Sequence, residues 1–192
     1  MAKPRLVVVV GMPGSGKGIF SEVARELGVP VYVMGDIVRE ETIKRGLEPT
    51  PSNLNYVARR LREEYGQSVV AERVGEKILG DKKEFVVVDG SRSLYELEVF
   101  KKIGEVVVVA IHASPHTRYN RLRRRGRPGD PRNWEEFRER DRVELSFGIG
   151  SLISLADYVV VNEGSIEEFR EKAKKLLEGL RLNWKRYRLE GC

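Results

Sequence analysis

Apolar residues fall along this chain in short, valine-rich runs separated by stretches with helical spacing. The first run, Leu6 to Val10, leads through a glycine-rich turn into Ile19 to Leu27, whose apolar positions recur at three- and four-residue intervals. Four further runs follow: Val31 to Met34, Phe85 to Val88, Val106 to Ile111 and Tyr158 to Val161. Buried runs alternating with helical patterns predict an α/β fold, a parallel sheet wrapped by helices. The second run ends in Gly35-Asp36 and opens a helix over Ile37 to Arg45, which Gly46 and the Pro49-Thr50-Pro51 turn bring to a stop. From Asn53 to Leu79 the spacing is helical with a break at Gly66, so a long helical insertion separates the second and third strands. Later helices carry start signals: Ser114 followed by Pro115, and Asn133 with Glu136 and Ser165 with Glu168 at capping-box spacing. The last long helix is expected over about Ile166 to Leu180. Neither an internal repeat nor a low-complexity segment interrupts the pattern.

At 192 residues the chain is long enough for one domain with a sizeable core. Charged residues make up 33%, with a net charge of +6, as suits a protein that meets polyphosphates or nucleic acid. The single cysteine, Cys192, excludes a disulfide framework and points to a reducing compartment. With no run long enough to span a membrane and no signal peptide, a cytoplasmic location is expected. Gln67 is the only glutamine among abundant Glu, Lys and Arg, a bias compatible with a hyperthermophile.

Candidate chemistry begins directly after the first strand, at Gly11-Met12-Pro13-Gly14-Ser15-Gly16-Lys17-Gly18. Strand, glycine-rich turn and helix start are the layout of a phosphate-binding loop. Glycines let the backbone curl so that several N–H groups point at one anion, and the helix that follows presents its positive dipole end to the same place. Lys17 can then reach the outer phosphates of a nucleotide such as ATP. The general P-loop has Ser or Thr after the lysine, as a magnesium ligand; here Gly18 and Ile19 stand there instead. The third strand ends in Asp89, where P-loop enzymes hold Mg2+ directly or through water, so Asp89 is the expected magnesium anchor, through water.

Several motifs resemble those of adenylate kinases and related nucleoside monophosphate kinases. The loop resembles their Gly-x-Pro-Gly-Ser-Gly-Lys-Gly variant, with Ile19 where they usually place Thr. Gly35-Asp36-Ile37-Val38-Arg39 is similar to their Gly-Asp-hydrophobic-hydrophobic-Arg motif. Asp89-Gly90-Ser91-Arg92 is similar to Asp-Gly-aromatic-Pro-Arg, with Ser91 in place of proline. The resemblance implies that Arg39 and Arg92 grip the phosphate of an acceptor monophosphate. Guanidinium forks offset the repulsion between two approaching anions and fix their direction. Glu96 stands where the family has a base-reading glutamine; a carboxylate there accepts from an exocyclic amine but cannot donate, which puts adenine as the acceptor base in question. Arg121-Leu122-Arg123-Arg124-Arg125-Gly126 resembles the passage into the lid, implying that Arg121 and Arg125 face the phosphates. Arg127 begins a short lid, and Arg138 and Arg142, one helical turn apart, are candidates to complete the site. The stretch from Ala156 to Ser165 looks more like dephospho-coenzyme A kinases, and Asn162 to Ser165 are candidates to touch the adenine of ATP. Taken together the features are similar to an archaeal adenylate-kinase-related group, the UPF0200-like proteins. That resemblance implies a three-layer P-loop kinase with five parallel strands in the order 2-3-1-4-5.

The expected division is a core over about 4–36, 80–121 and 148–181, an acceptor-binding insertion over about 37–79, a lid over about 122–140 and a basic tail over 182–192. A monophosphate acceptor needs no general base, whereas an alcohol such as the ribose of dephospho-coenzyme A needs a carboxylate, for which Asp36 is the candidate. Two residues between Asp36 and Arg39, as in nucleotide kinases, together with Arg92, favour the monophosphate. The expected activity is therefore ATP- and Mg2+-dependent phosphoryl transfer to a nucleoside monophosphate, by a monomer or homodimer. Alternatives are a dephospho-coenzyme A kinase-like transfer and a non-catalytic ATP-binding regulator. The basic run from Arg118 to Arg127 also suits a nucleic acid backbone, but Tyr119 is the only aromatic residue within it, and the motifs account for it otherwise. His112 and His116 have no metal-ligand spacing and are expected to be structural or exposed.

Overall fold

The computed structural model describes residues 3–185. Its sheet has five parallel strands in the order β2-β3-β1-β4-β5: β2 (Val31–Val33), β3 (Phe85–Asp89), β1 (Arg5–Val10), β4 (Glu105–His112) and β5 (Tyr158–Val161). In the central β1, Leu6 to Val10 are completely buried. Their side chains alternate between two cores, which is why the run is apolar throughout rather than every second residue. Leu6, Val8 and Val10 pack on one face with α2 (Met34–Lys44), α3 (Pro51–Tyr65), α4 (Val69–Asp81), α5 (Leu94–Ile103) and α8 (Ile149–Ser154). Val7 and Val9 pack on the other with α1 (Lys17–Glu26) and α9 (Ile166–Leu182). Between β4 and α8 run α6 (Pro115–Arg125) and α7 (Trp134–Ser146).

Helix starts follow the expected chemistry. Thr50, Ser93, Ser114, Asn133 and Ser165 each accept a backbone N–H in the first turn of the helix they precede, and Ser165 with Glu168 closes a full capping box. Elsewhere the boundaries move. Met34, expected to end the second strand, begins α2, so Gly35 and Asp36 lie in a helical turn; β2 is an edge strand with only three residues in register with β3. The insertion breaks near Gly66 as expected, and its first helix starts at Pro51 rather than Asn53 because Thr50 caps it. A short helix, α8, was not foreseen; Gly148 opens it with φ +96°. The last helix runs two residues past Leu180. Beyond it Trp184 is buried, edge-on to Phe85, with its indole N–H on Glu105 at 2.6 Å. The rest of the basic tail, residues 186–192 including Cys192, lies outside the described residues. Among the described residues no helix is long and apolar enough to cross a membrane.

Parallel strands bring their C-terminal ends to one edge of the sheet, and the order reverses around β1. Ligands of such sheets bind at that switch point, and here the glycine-rich loop, Asp89 and the start of α6 all open onto it.

Candidate active site

The loop from Gly11 to Lys17 is shaped by what its glycines leave out. Gly14 has φ +82°, and a side chain there would stand 2.9 Å from the Arg118 carbonyl. Gly16 has φ +114°, and its missing side chain makes room for the Asn162 amide. Gly16 is also the residue from which α1 departs, with no side-chain cap on the helix start. That leaves a positive helix end for an anion. Gly18 differs: nothing lies within 4 Å of where its Cβ would be, so the absence of Ser or Thr there leaves space rather than a filled contact.

A cavity of about 1010 Å³ opens above this loop. Lys17 Nζ donates to the Gly11 carbonyl at 2.6 Å. Burial pushes the Lys17 ammonium below its usual pKa, against the pull of the Asp89 and Glu144 carboxylates. Asp89, at the end of β3, is buried and lines the same cavity, and its Oδ2 accepts from Ser21 Oγ at 2.7 Å. Ser21 lies one helical turn after Gly18. The hydroxyl that the P-loop pattern expects beside the phosphates thus sits one turn deeper and fixes the carboxylate instead.

Arginines converge from three elements. Arg92, after β3, lines the cavity with its Nε 3.2 Å from Glu144 Oε2 and its guanidinium over Phe147 at 5.7 Å. Arg121, Arg124 and Arg125 line it from one face of α6, together with Thr117 and Asn120. Arg125 pairs with Asp130 through two hydrogen bonds, 2.8 and 2.5 Å. Arg140 of α7 reaches the same Asp130 at 3.1 Å, and Arg127 also lines the cavity. Burial lowers the pKa of Arg121, partly offset by Glu163.

Other candidate residues lie elsewhere. Arg39 and Asp36 are exposed on α2 and do not line the cavity; the helix begins early, and its buried side carries Met34, Ile37, Val38 and Thr42. Glu96 is buried rather than poised for a base: it accepts from the Arg92 N–H at 2.7 Å, from Ser91 Oγ at 3.2 Å and from Arg62 at 3.2 Å. In place of Arg138 and Arg142, α7 turns Arg140 and Glu144 to the cavity, because a shift of two residues rotates a side chain by about 200° around a helix. Arg142 pairs with Glu139 on the exposed side. His112 and His116 are both exposed.

Ser21, and the parts played by Arg118 and Asn162, escaped sequence analysis. Ser21 carries a signal in its spacing from Gly18. Arg118 is buried over Phe137, bound to Asp141 at 2.8 and 2.6 Å and to the Pro13 carbonyl of the loop at 3.2 Å. Asn162 is buried between the loop and Arg121, and it lines the cavity together with Gly164, Ser165 and Ile166. Trp134 and Phe137, on α7 just beyond the basic run, stack together and pack on Tyr119.

Magnesium, which the fold class implies, fits this donor set. Asp89 offers a hard carboxylate oxygen already oriented by Ser21, and the space beside Gly18 is open. Among the described residues no three His, Cys, Asp or Glu side chains stand together as a metal cage, so further ligands would be water and phosphate oxygens.

An AAA domain model matches residues 10–138. The chain is 62% identical over 175 residues to a UPF0200 protein of Hyperthermus butylicus, covering 91% of this chain and 94% of that protein. It is 47% identical over 186 residues to a UPF0200 protein of Methanocaldococcus jannaschii, covering 95% and 94%. Among solved structures it is similar to shikimate kinase from Aquifex aeolicus, with TM-score 0.55, 22% identity and coverage of 93% and 98%. A gluconokinase from Sinorhizobium meliloti gives TM-score 0.56, 20% identity and coverage of 96% and 97%. At those identities the solved structures establish the fold alone, whereas the sequence matches establish kinship: the chain belongs to the UPF0200 family and has a P-loop kinase-like fold.

Proposed function

We propose that this protein transfers the terminal phosphoryl group of ATP to a small phosphorylated acceptor, a nucleoside monophosphate, as adenylate kinases do. One observation carries the proposal: the phosphate loop, Lys17, Asp89, Arg92, Arg121, Arg125 and Arg127 line a single cavity. In this mechanism the loop amides and Lys17 hold the donor phosphates, and Arg92 receives the acceptor phosphate. Arg121 and Arg125 carry the charge of the group in flight. Asp89 would hold Mg2+ through water, and the ion would supply positive charge against the donor's outer phosphates. The α2–α4 lobe is here assigned to acceptor binding and residues 122–140 to the lid; Arg39, exposed on α2 outside the cavity lining, is given no part in holding the acceptor phosphate. An acceptor phosphate is already anionic near neutral pH, so no residue need take a proton. Asp36, the base an alcohol acceptor would use, stands outside the cavity lining, which favours the monophosphate over a dephospho-coenzyme A-like reaction.

The test is ADP formation from ATP and magnesium over a panel of nucleoside monophosphates, with dephospho-coenzyme A, shikimate and gluconate as alcohol acceptors. Turnover on a monophosphate, lost by at least a hundredfold in Lys17→Ala, supports the proposal. Turnover only on an alcohol would replace it. Tight ATP binding with no transfer to any acceptor would make the protein a nucleotide-binding regulator.

A further inference from the structure

Asn162 immediately follows β5, on the far side of β4 from the glycine-rich loop's own strand. Its side chain is buried, and both ends of the amide are engaged. Nδ2 donates to the Ser15 carbonyl within the loop at 2.8 Å, and Oδ1 accepts from Arg121 Nη2 at 3.2 Å. Its backbone N–H is anchored to the His112 carbonyl of β4 at 2.8 Å, so the amide is presented from the sheet rather than from a loose loop. Gly16 is left without a side chain where the amide presses, one residue before Lys17. Arg121 Nη1, by contrast, is buried and has no hydrogen-bond partner among the described residues, although Arg121 lines the cavity. A buried guanidinium N–H without an acceptor is costly to leave unmade. Here one Nη is held from behind while the other lacks an acceptor.

We infer that Asn162 is a positioning residue that locks Arg121 to the phosphate loop, so that the unpartnered Nη1 of Arg121 is presented to a nucleotide phosphate oxygen. The amide suits this place because it supplies a donor to the loop carbonyl and an acceptor to the guanidinium at once. Aspartate would keep the second contact and set a carboxylate against the Ser15 carbonyl. Leucine would fill the volume and make neither. The inference rests on the nucleotide site proposed above, but it concerns binding of the donor and needs no acceptor.

The experiment is a double-mutant cycle on affinity for a fluorescent ATP analogue, using Asn162→Ala, Arg121→Ala and the double variant, with melting temperature measured in parallel. Each single substitution is expected to weaken binding roughly tenfold, the worth of about one hydrogen bond to a charged group. The double variant should bind no more than about twofold worse than Arg121→Ala, because Arg121 without Asn162 has lost its aim. Asn162→Asp provides a second, isosteric probe should the alanine variant fold poorly, and it too should weaken binding. If Asn162→Ala and Asn162→Asp fold and bind the analogue within twofold of the unaltered protein, or if the two losses multiply in the double variant, the inference fails. A protein that binds the analogue with the expected coupling but transfers phosphate to nothing overturns the kinase reading alone; one that binds no nucleotide overturns both.

Discussion

At the scale of single residues, the chemistry of this site depends on which atoms already have partners. Ser21 donates to Asp89 at 2.7 Å inside the protein, holding one carboxylate oxygen so that the other is free for the cavity. Ser21→Ala removes that donor and leaves the buried Asp89 oxygen unpaired, at a cost of about 1–3 kcal/mol in stability. It should also weaken magnesium-dependent ATP binding several-fold while leaving magnesium-free binding unchanged. Calorimetric titration with and without the ion checks this; equal losses in both would mean that Ser21 serves only packing. Ser21 was within reach of sequence analysis, since three residues after Gly18 places it on the same helical face. The contact of Asn162 with the loop was not: the residue stands among the nucleotide candidates, but its partner Ser15 is 147 positions away, and no local pattern joins them.

Helix by helix, α6 and α7 form a unit built on two carboxylates. Arg118 of α6 is bound by Asp141 of α7 and also donates to the Pro13 carbonyl, so the position of α7 is tied to the phosphate loop. Asp141→Asn takes the compensating charge from a guanidinium whose side chain is only 5% exposed. We expect a loss of about 3 kcal/mol, seen as a lowered melting temperature; a loss below about 1 kcal/mol would show that α7 is held by its aromatic contacts instead. The second carboxylate is Asp130. Burial raises its pKa, but hydrogen bonds from Arg125, the Arg127 N–H and Arg140 outweigh that and hold it at about 2, against 3.8 for a free aspartate. A folded-state pKa below the unfolded one means stability that is present above about pH 4 and lost as pH falls towards 2. Acid unfolding should therefore be steeper through that window in the unaltered protein than in Asp130→Asn, and superimposable profiles would argue against it. Capping residues and apolar spacing made α6 and α7 legible in the sequence, but not which face of α7 meets the cavity. The i, i+4 spacing of Arg138 and Arg142 identifies a stripe without saying which stripe turns inward, and it is Arg140 that lines the cavity.

For the whole molecule, the order β2-β3-β1-β4-β5 gathers Lys17 and six arginines around one cavity against three carboxylates. Such a field draws in polyphosphates and is screened by salt. ATP affinity should fall by roughly tenfold between about 0.05 M and about 0.5 M salt, more steeply than the affinity for AMP, which carries less charge. Equal salt slopes for ATP and AMP would mean that the outer phosphates do not reach the arginines. Sequence alone determined the layered parallel sheet, because β-branched runs of strand length buried on both faces alternate with helices. It also determined the phosphate loop, because its glycines, lysine and flanking elements are contiguous. Tertiary structure alone decided which distant groups serve that loop. It placed Arg39 and Asp36 outside the cavity lining, buried Glu96 under Arg62, and brought Ser21 to Asp89, Arg118 to Pro13 and Asn162 to Arg121. The physical reason is that strand and helix formation follow from neighbours along the chain, whereas hydrogen bonds across the sheet depend on register and helix rotation, which only the packed core fixes.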